Sequence, residues 1–267
     1  MSGQVVKILK RIWQTAWRTL KQFLKQQGFL YSAGLSFYAL LSFIPLVCLL
    51  ISIAGLLWGD ADIVRVFIQK RLAILPWAKQ LALNQLEVFV RSSAKFGWIS
   101  FGFILWTSGL FFSALQTTFN YIYAHSLKRK YWHLPLPWIM GPVLGIGLLL
   151  LMLVMQVLKH IPARFMPSLA PHVWTWLGMG LMFLLFYQIL PPQKPSLKVS
   201  FFLSLLIAAL SEVITWFFSQ VLWNQPNYSL VYGALSSVIL FLLWLNANMV
   251  LILLGAYFLF FWENGKV

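Results

Sequence analysis

The chain has 267 residues, of which 61% are hydrophobic and 9% charged, with 20 Lys and Arg against 5 Asp and Glu. So few charges cannot cover a water-soluble globule, and so much apolar sequence cannot be hidden in one core, so most of the chain belongs in lipid. The single cysteine, Cys48, excludes a disulfide framework and argues against a metal–thiolate site, and no cofactor is implied.

Residues 1–30 form a basic N-terminal segment in which 4–27 read as an amphipathic helix. At 100° per residue Val5, Leu9, Ile12, Trp13, Ala16, Trp17, Leu20 and Leu24 share one side, and Lys7, Lys10, Arg11, Arg18, Lys21 and Lys25 share an opposing arc. That pattern suits a helix lying on an anionic membrane surface, tryptophans at the acyl boundary and lysines among head groups. The apolar run that follows is far longer than a signal-peptide core, so a retained helix is expected rather than a cleaved leader.

Tyr31 to Leu57 contains no formal charge and is long enough to cross a bilayer with tilt, with Pro45 inside it as a candidate kink. Residues 58–97 are too charged to cross; helical apolar spacing on both sides of Pro76 predicts extracytoplasmic amphipathic helices. Five further spans are expected at 98–123, 138–158, 174–190, 199–223 and 230–261, with Trp58, Trp98, Trp138, Trp174, Trp223 and Trp262 at or beside their ends. The prediction is an all-α, polytopic membrane bundle of six transmembrane helices forming one domain over 1–267. Twelve Lys or Arg fall on the side of the termini and eight on the other, which places both termini in the cytoplasm. The net charge of +15 lies in segments flanking apolar runs, so anionic lipid head groups are the expected partners and nucleic acid is not. Self-association as a homo-oligomer stays open.

Glu212 is the one formally charged side chain in the interior of a predicted span, and at that depth it must be neutral, paired or wetted. Ser204, Ala208, Ser211, Thr215 and Ser219 share its helical side. Span two carries a similar stripe with Gln116 and Asn120, and span six offers Ser237, Trp244, Asn248 and Gly255. Glu212, Gln116, Asn120, Asn248, Ser211 and Thr215 are therefore candidates for a polar interior, either a substrate path or buried structural pairing. His125 and His133 fall on the expected inner loop and His160 and His172 on the outer one, so they cannot meet on one metal. No hydrolytic triad, P-loop or dinucleotide fingerprint is present, and an enzyme is not expected.

Two stretches, FLYSAGLSFYALLSFIPLV (Phe29–Val47) and NYSLVYGALSSVILFLLWLNANMVLILLGAY (Asn227–Tyr257), resemble the signature ends of the YihY/BrkB family of bacterial inner-membrane proteins. The resemblance runs over nearly the whole chain. It implies six helices with cytoplasmic termini, and it aligns Asn120 and Glu212 with positions where relatives commonly carry asparagine and glutamate. Two positions depart from the pattern. Tyr257 stands where many relatives have an acidic residue, and Val213 to Trp216 is uncharged where some carry basic residues. A ribonuclease label once attached to the family finds no metal cluster or general base in these residues. The resulting expectation is a translocator of an amphipathic or lipid-like envelope substrate in the bacterial inner membrane, with a non-transporting, lipid-binding scaffold as the alternative.

Overall fold

The computed structural model describes residues 2–58, 93–123, 170–222 and 236–265. Within them the chain forms six helices and no strand: α1 (Ser2–Lys25), α2 (Gly28–Trp58), α3 (Ser93–Tyr123), α4 (Ala170–Ile189), α5 (Leu197–Phe217) and α6 (Ser236–Asn264). The expected span at 138–158, the loop at 124–137 and residues 59–92 of the expected amphipathic segment lie outside the described residues. So do His125, His133 and His160.

Two described stretches, Leu197–Gln220 and Val238–Asn264, are long and apolar enough to cross a membrane. The exterior of the bundle is far more apolar than that of a soluble protein, while several small hydroxyl residues are buried. On α5 the large side chains of Phe202, Leu206, Leu210, Val213 and Trp216 are exposed, whereas Ser200, Ser204 and Ser211 are buried. On α2, Phe29, Leu30 and Phe37 are exposed while Ser32 and Ser36 are buried. Water would reject such an exterior; hydrocarbon accepts it, and of these buried hydroxyls all but that of Ser200 hydrogen-bond inside the protein. Many do so along their own helix: Ser32 and Ser42 donate to the carbonyls of Gly28 and Tyr38 at 2.8 and 2.9 Å, and Thr107 to that of Phe103 at 2.8 Å.

Four helices, α2, α3, α4 and α5, begin before the spans read from hydropathy. α3 begins at Ser93, five residues before Trp98, because a helix satisfies its backbone as well at the interface as in the core and need not stop where the apolar run does. α5 leaves α geometry at Phe218 and finishes in a π-turn, Phe218–Leu222, close to the expected limit at Trp223. α2 stays helical through Pro45, which is half-buried. Proline there removes one N–H donor without ending the helix.

α6 is the hub of the described bundle, packing on α1, α2, α3 and α5, while α2 lies along α3 and α4 along α5. Where α4, α5 and α6 converge, the fully buried Tyr187 donates its hydroxyl to the carbonyl of Ile252 at 3.1 Å. Gly255 permits this approach, since a Cβ there would collide with the Tyr187 hydroxyl and the Ile207 side chain. At the end of α6 the Ser196 N–H, at the start of α5, donates to the Glu263 carboxylate. α1 docks beside it through Arg11, whose guanidinium donates to the Trp262 carbonyl at 2.8 Å. The N-terminal helix, the turn before α5 and the end of α6 therefore share one end of the described bundle.

Candidate functional site

The sequence makes α5 and α6 almost wholly apolar, so the few hydrogen-bonding side chains they carry decide how the two helices meet. Ser211 and Asn248 face each other across the seam, both buried, and the Ser211 hydroxyl donates to Asn248 Oδ1. The Asn248 amide in turn donates to the Trp244 carbonyl at 2.8 Å. One turn further along, Trp244 Nε1 donates to Thr215 Oγ1 at 3.1 Å, and the Thr215 hydroxyl donates to the Ser211 carbonyl at 2.8 Å. Trp244 stacks on Phe241 with ring centroids 5.6 Å apart, which fixes its indole edge towards α5. Three of the predicted interior residues, Ser211, Thr215 and Asn248, are thus joined in one network, closed through Trp244.

Glu212 is half-buried on α5, next to Ser211 in sequence and displaced from the seam by about 100° of helical rotation. Gln116 and Asn120 sit elsewhere, on α3, half-buried at the flank of its packed face. Neither hydrogen-bonds into the Ser211–Asn248 network, and neither side chain has a hydrogen-bond partner among the described residues. The expected single meeting point of all six residues is therefore resolved into a closed α5–α6 network and a separate pair of α3 amides.

The basic set on α1 also divides. Lys7, Lys10, Arg18, Lys21 and Lys25 are exposed, whereas Arg11 is half-buried, its guanidinium 4.2 Å from the centre of the Trp262 ring. Tyr257 donates its hydroxyl to Gln26 Oε1 at 2.6 Å. Residue spacing could not reveal that pairing, because its partners are 231 positions apart. Gln26 and Tyr187 carried no signal beyond being a polar and an aromatic residue near helix ends.

Among the described residues no group of three or more His, Cys, Asp or Glu side chains gathers as a metal site. A family model described as virulence factor BrkB matches residues 19–266. The chain belongs to the BrkB family. It is similar to proteins named UPF0761 membrane protein, including one from Aliivibrio salmonicida, 26% identical over 248 residues, covering 89% of this chain and 79% of the relative. Another, from Azotobacter vinelandii, is 27% identical over 255 residues, 90% of this chain and 61% of the relative. A third, from Haemophilus influenzae, is 24% identical over 191 residues, 68% of this chain and 69% of the relative. No solved structure matches. This BrkB-family protein is a membrane protein, as its relatives' names and its apolar helices agree.

Within the network, Trp244→Phe keeps a ring against Phe241 and removes only the bond to Thr215. In a membrane bundle such interhelical bonds contribute about 0.6 kcal/mol on average, so a small fall in stability is expected, read by thermal unfolding in detergent. A loss several times larger would mean that the indole's shape, rather than its N–H, holds the seam.

Proposed function

We propose that this BrkB-family protein is an inner-membrane translocator of an amphipathic or lipid-like envelope substrate. In this reading the chain crosses the membrane six times with both termini in the cytoplasm. The observation that supports it is the buried or half-buried placement of hydrogen-bonding side chains on apolar helices, part of it, Gln116 and Asn120, with capacity unused among the described residues. A polar head group crossing hydrocarbon needs such partners, because an unsatisfied polar group there costs several kcal/mol. Glu212, half-buried one residue from the seam, is the group in this reading that takes up a proton or balances charge along the path. Anionic head groups are the lipid chemistry that the exposed cations of α1 favour.

The closure of the Ser211–Asn248–Trp244–Thr215 network supports a second reading. Its hydrogen bonds are spent within the seam, as in a rigid scaffold that binds lipid without moving it. Reconstitution into liposomes with head-group-labelled lipid separates the two. The translocator reading expects exchange between leaflets faster than in protein-free liposomes, slowed several-fold by Gln116→Leu or Asn120→Leu. No exchange across a panel of anionic and zwitterionic lipids, with well-folded protein, overturns it. Glu212→Gln adds a finer test: an unchanged rate at every pH removes proton coupling and charge balance from that residue.

A further inference from the structure

α1 has three faces rather than two. Its packed face is Thr15, Thr19 and Phe23, buried, with Arg11, Gln22 and Gln26 half-buried beside them. Its apolar face, Leu9, Trp13, Trp17, Leu20 and Leu24, is exposed among the described residues: Trp13 is 73% and Trp17 62% exposed. Its cationic face is Lys7, Lys10, Arg18, Lys21 and Lys25, all exposed, and α1 carries no Asp or Glu. At 100° per residue the three face centres lie roughly 100–150° apart.

The packed face fixes how α1 is held. Arg11 reaches Trp262 and Gln26 reaches Tyr257, while Arg18 Nη1 lies 3.9 Å from where a Cβ on Gly265 would stand. On α6, a stretch of α1 roughly 22 Å long thus meets the final turns from Tyr257 onward. Between Gln26 and Arg18 the contacts advance along α6 from Tyr257 to Gly265, and Arg11 then returns to Trp262, so α1 is inclined to the end of α6 rather than parallel to it over its whole length. Phe23 completes the clamp: it packs edge-on to Tyr257, ring centroids 6.1 Å apart, and covers Gly28, where a Cβ would collide with its ring. Gln27, with φ 55°, turns the chain from α1 into α2.

A helix inclined to the end of a spanning helix can lie along the membrane surface. With its rotation fixed by the clamp, α1 holds two tryptophans and three leucines on one side of the axis and five cations on another. A zwitterionic or neutral surface would use the first face only; the five cations with no acidic neighbour select an anionic one. We propose that α1 is a clamped interfacial helix that binds anionic phospholipid, with Trp13 and Trp17 among the upper acyl chains and Lys7, Lys10, Arg18, Lys21 and Lys25 at lipid phosphates. This holds whether the bundle translocates lipid or only anchors in it.

The test uses the full chain with Cys48→Ala, carrying single spin-labelled cysteines from Thr15→Cys, Trp13→Cys, Trp17→Cys or Lys21→Cys, in nanodiscs. In phosphatidylethanolamine with phosphatidylglycerol, labels at 13 and 17 should be reached by oxygen and shielded from a water-soluble nickel chelate. The label at 21 should show the reverse, and that at 15 should be immobile. Neutralising Lys7, Lys10, Lys21 and Lys25 to Gln should lower the phosphatidylglycerol retained on purification, by about fivefold for each lysine in the limit of independent contacts. Nickel access at 13 and 17 equal to that at 21 overturns the proposal. So does spin–spin broadening at 13 and 17 that vanishes on dilution with unlabelled protein, which would assign the apolar face to a second copy of the chain. Phosphatidylglycerol retention unchanged by the four neutralisations overturns the anionic selectivity.

Discussion

Gly255→Ala is expected to destabilise the bundle by about 3 kcal/mol, the upper end of the cost of overpacking a well-packed interior. The added methyl would be driven into the Tyr187 hydroxyl and the side chain of Ile207, both buried, with Tyr187 Cζ only 2.7 Å away. Neither neighbour has open space to retreat into. Phe119 lies against Tyr187, ring centroids 6.5 Å apart, and Ile207 belongs to the same packed core. Relief requires shifts of these packed side chains or of α4 and α5 against α6. Thermal unfolding in detergent, followed by the retention of a monodisperse species on size exclusion, measures the loss.

The double variant Gly255→Ala with Tyr187→Phe makes the cause visible. Tyr187→Phe alone gives up one interhelical hydrogen bond, about 0.6 kcal/mol on average in membrane bundles and at most about 1.7. Combined with Gly255→Ala it removes the atom that the methyl strikes first, so the pair should be more stable than the two single losses added together. Strict additivity would mean that Ile207, not the tyrosine hydroxyl, sets the limit on residue 255.

What the sequence made legible here was the chemistry that depends on period and composition. The amphipathic reading of α1, the uncharged run through Pro45 and the apolar stretches at α5 and α6 all follow from hydropathy at helical spacing, because lipid imposes that pattern on any helix it surrounds. Ser211, Thr215 and Asn248 were legible as interior for the same reason: polar groups in a span must find partners. The partner was not legible. Gln116 and Asn120 share the composition of that network but stand on α3, and only packing separates them from it. Arg11 shows the same limit from the other side. Its spacing groups it with five exposed cations, yet the geometry gives it to Trp262. Helical phase places Arg11 near the boundary between the cationic and packed faces, and phase alone does not say which neighbour lies beyond that boundary.

Arg11→Glu should release α1 from the end of α6 while leaving the remaining helices folded. Arg11 gives a charge-assisted hydrogen bond to the Trp262 carbonyl, worth about 1.5–3 kcal/mol for a charged donor, and a cation–π contact worth about 0.5–1 kcal/mol at an exposed site. It also sits where the last carbonyls of α6 concentrate negative potential, so a carboxylate there is repelled as well as unpaired. A loss of about 3 kcal/mol in docking corresponds to roughly a hundredfold rise in the population of the undocked helix. Thr19, buried in the docked face, reports it: with Cys48→Ala and Thr19→Cys, maleimide labelling should be slow in the parent and about a hundredfold faster with Arg11→Glu. Tyr257→Phe, which loses only a neutral bond to Gln26, should accelerate labelling far less, by about fivefold for a bond of ~1 kcal/mol. If Arg11→Glu and Tyr257→Phe label alike, the clamp is carried by Phe23 over Gly28, and the arginine serves only to neutralise the end of α6. The distinction matters for how α1 meets lipid. If α1 is interfacial as proposed, a helix held by charge at its middle keeps its tryptophans at a fixed depth beside the bundle, whereas one held only at the Gln27 corner pivots there and follows the membrane surface.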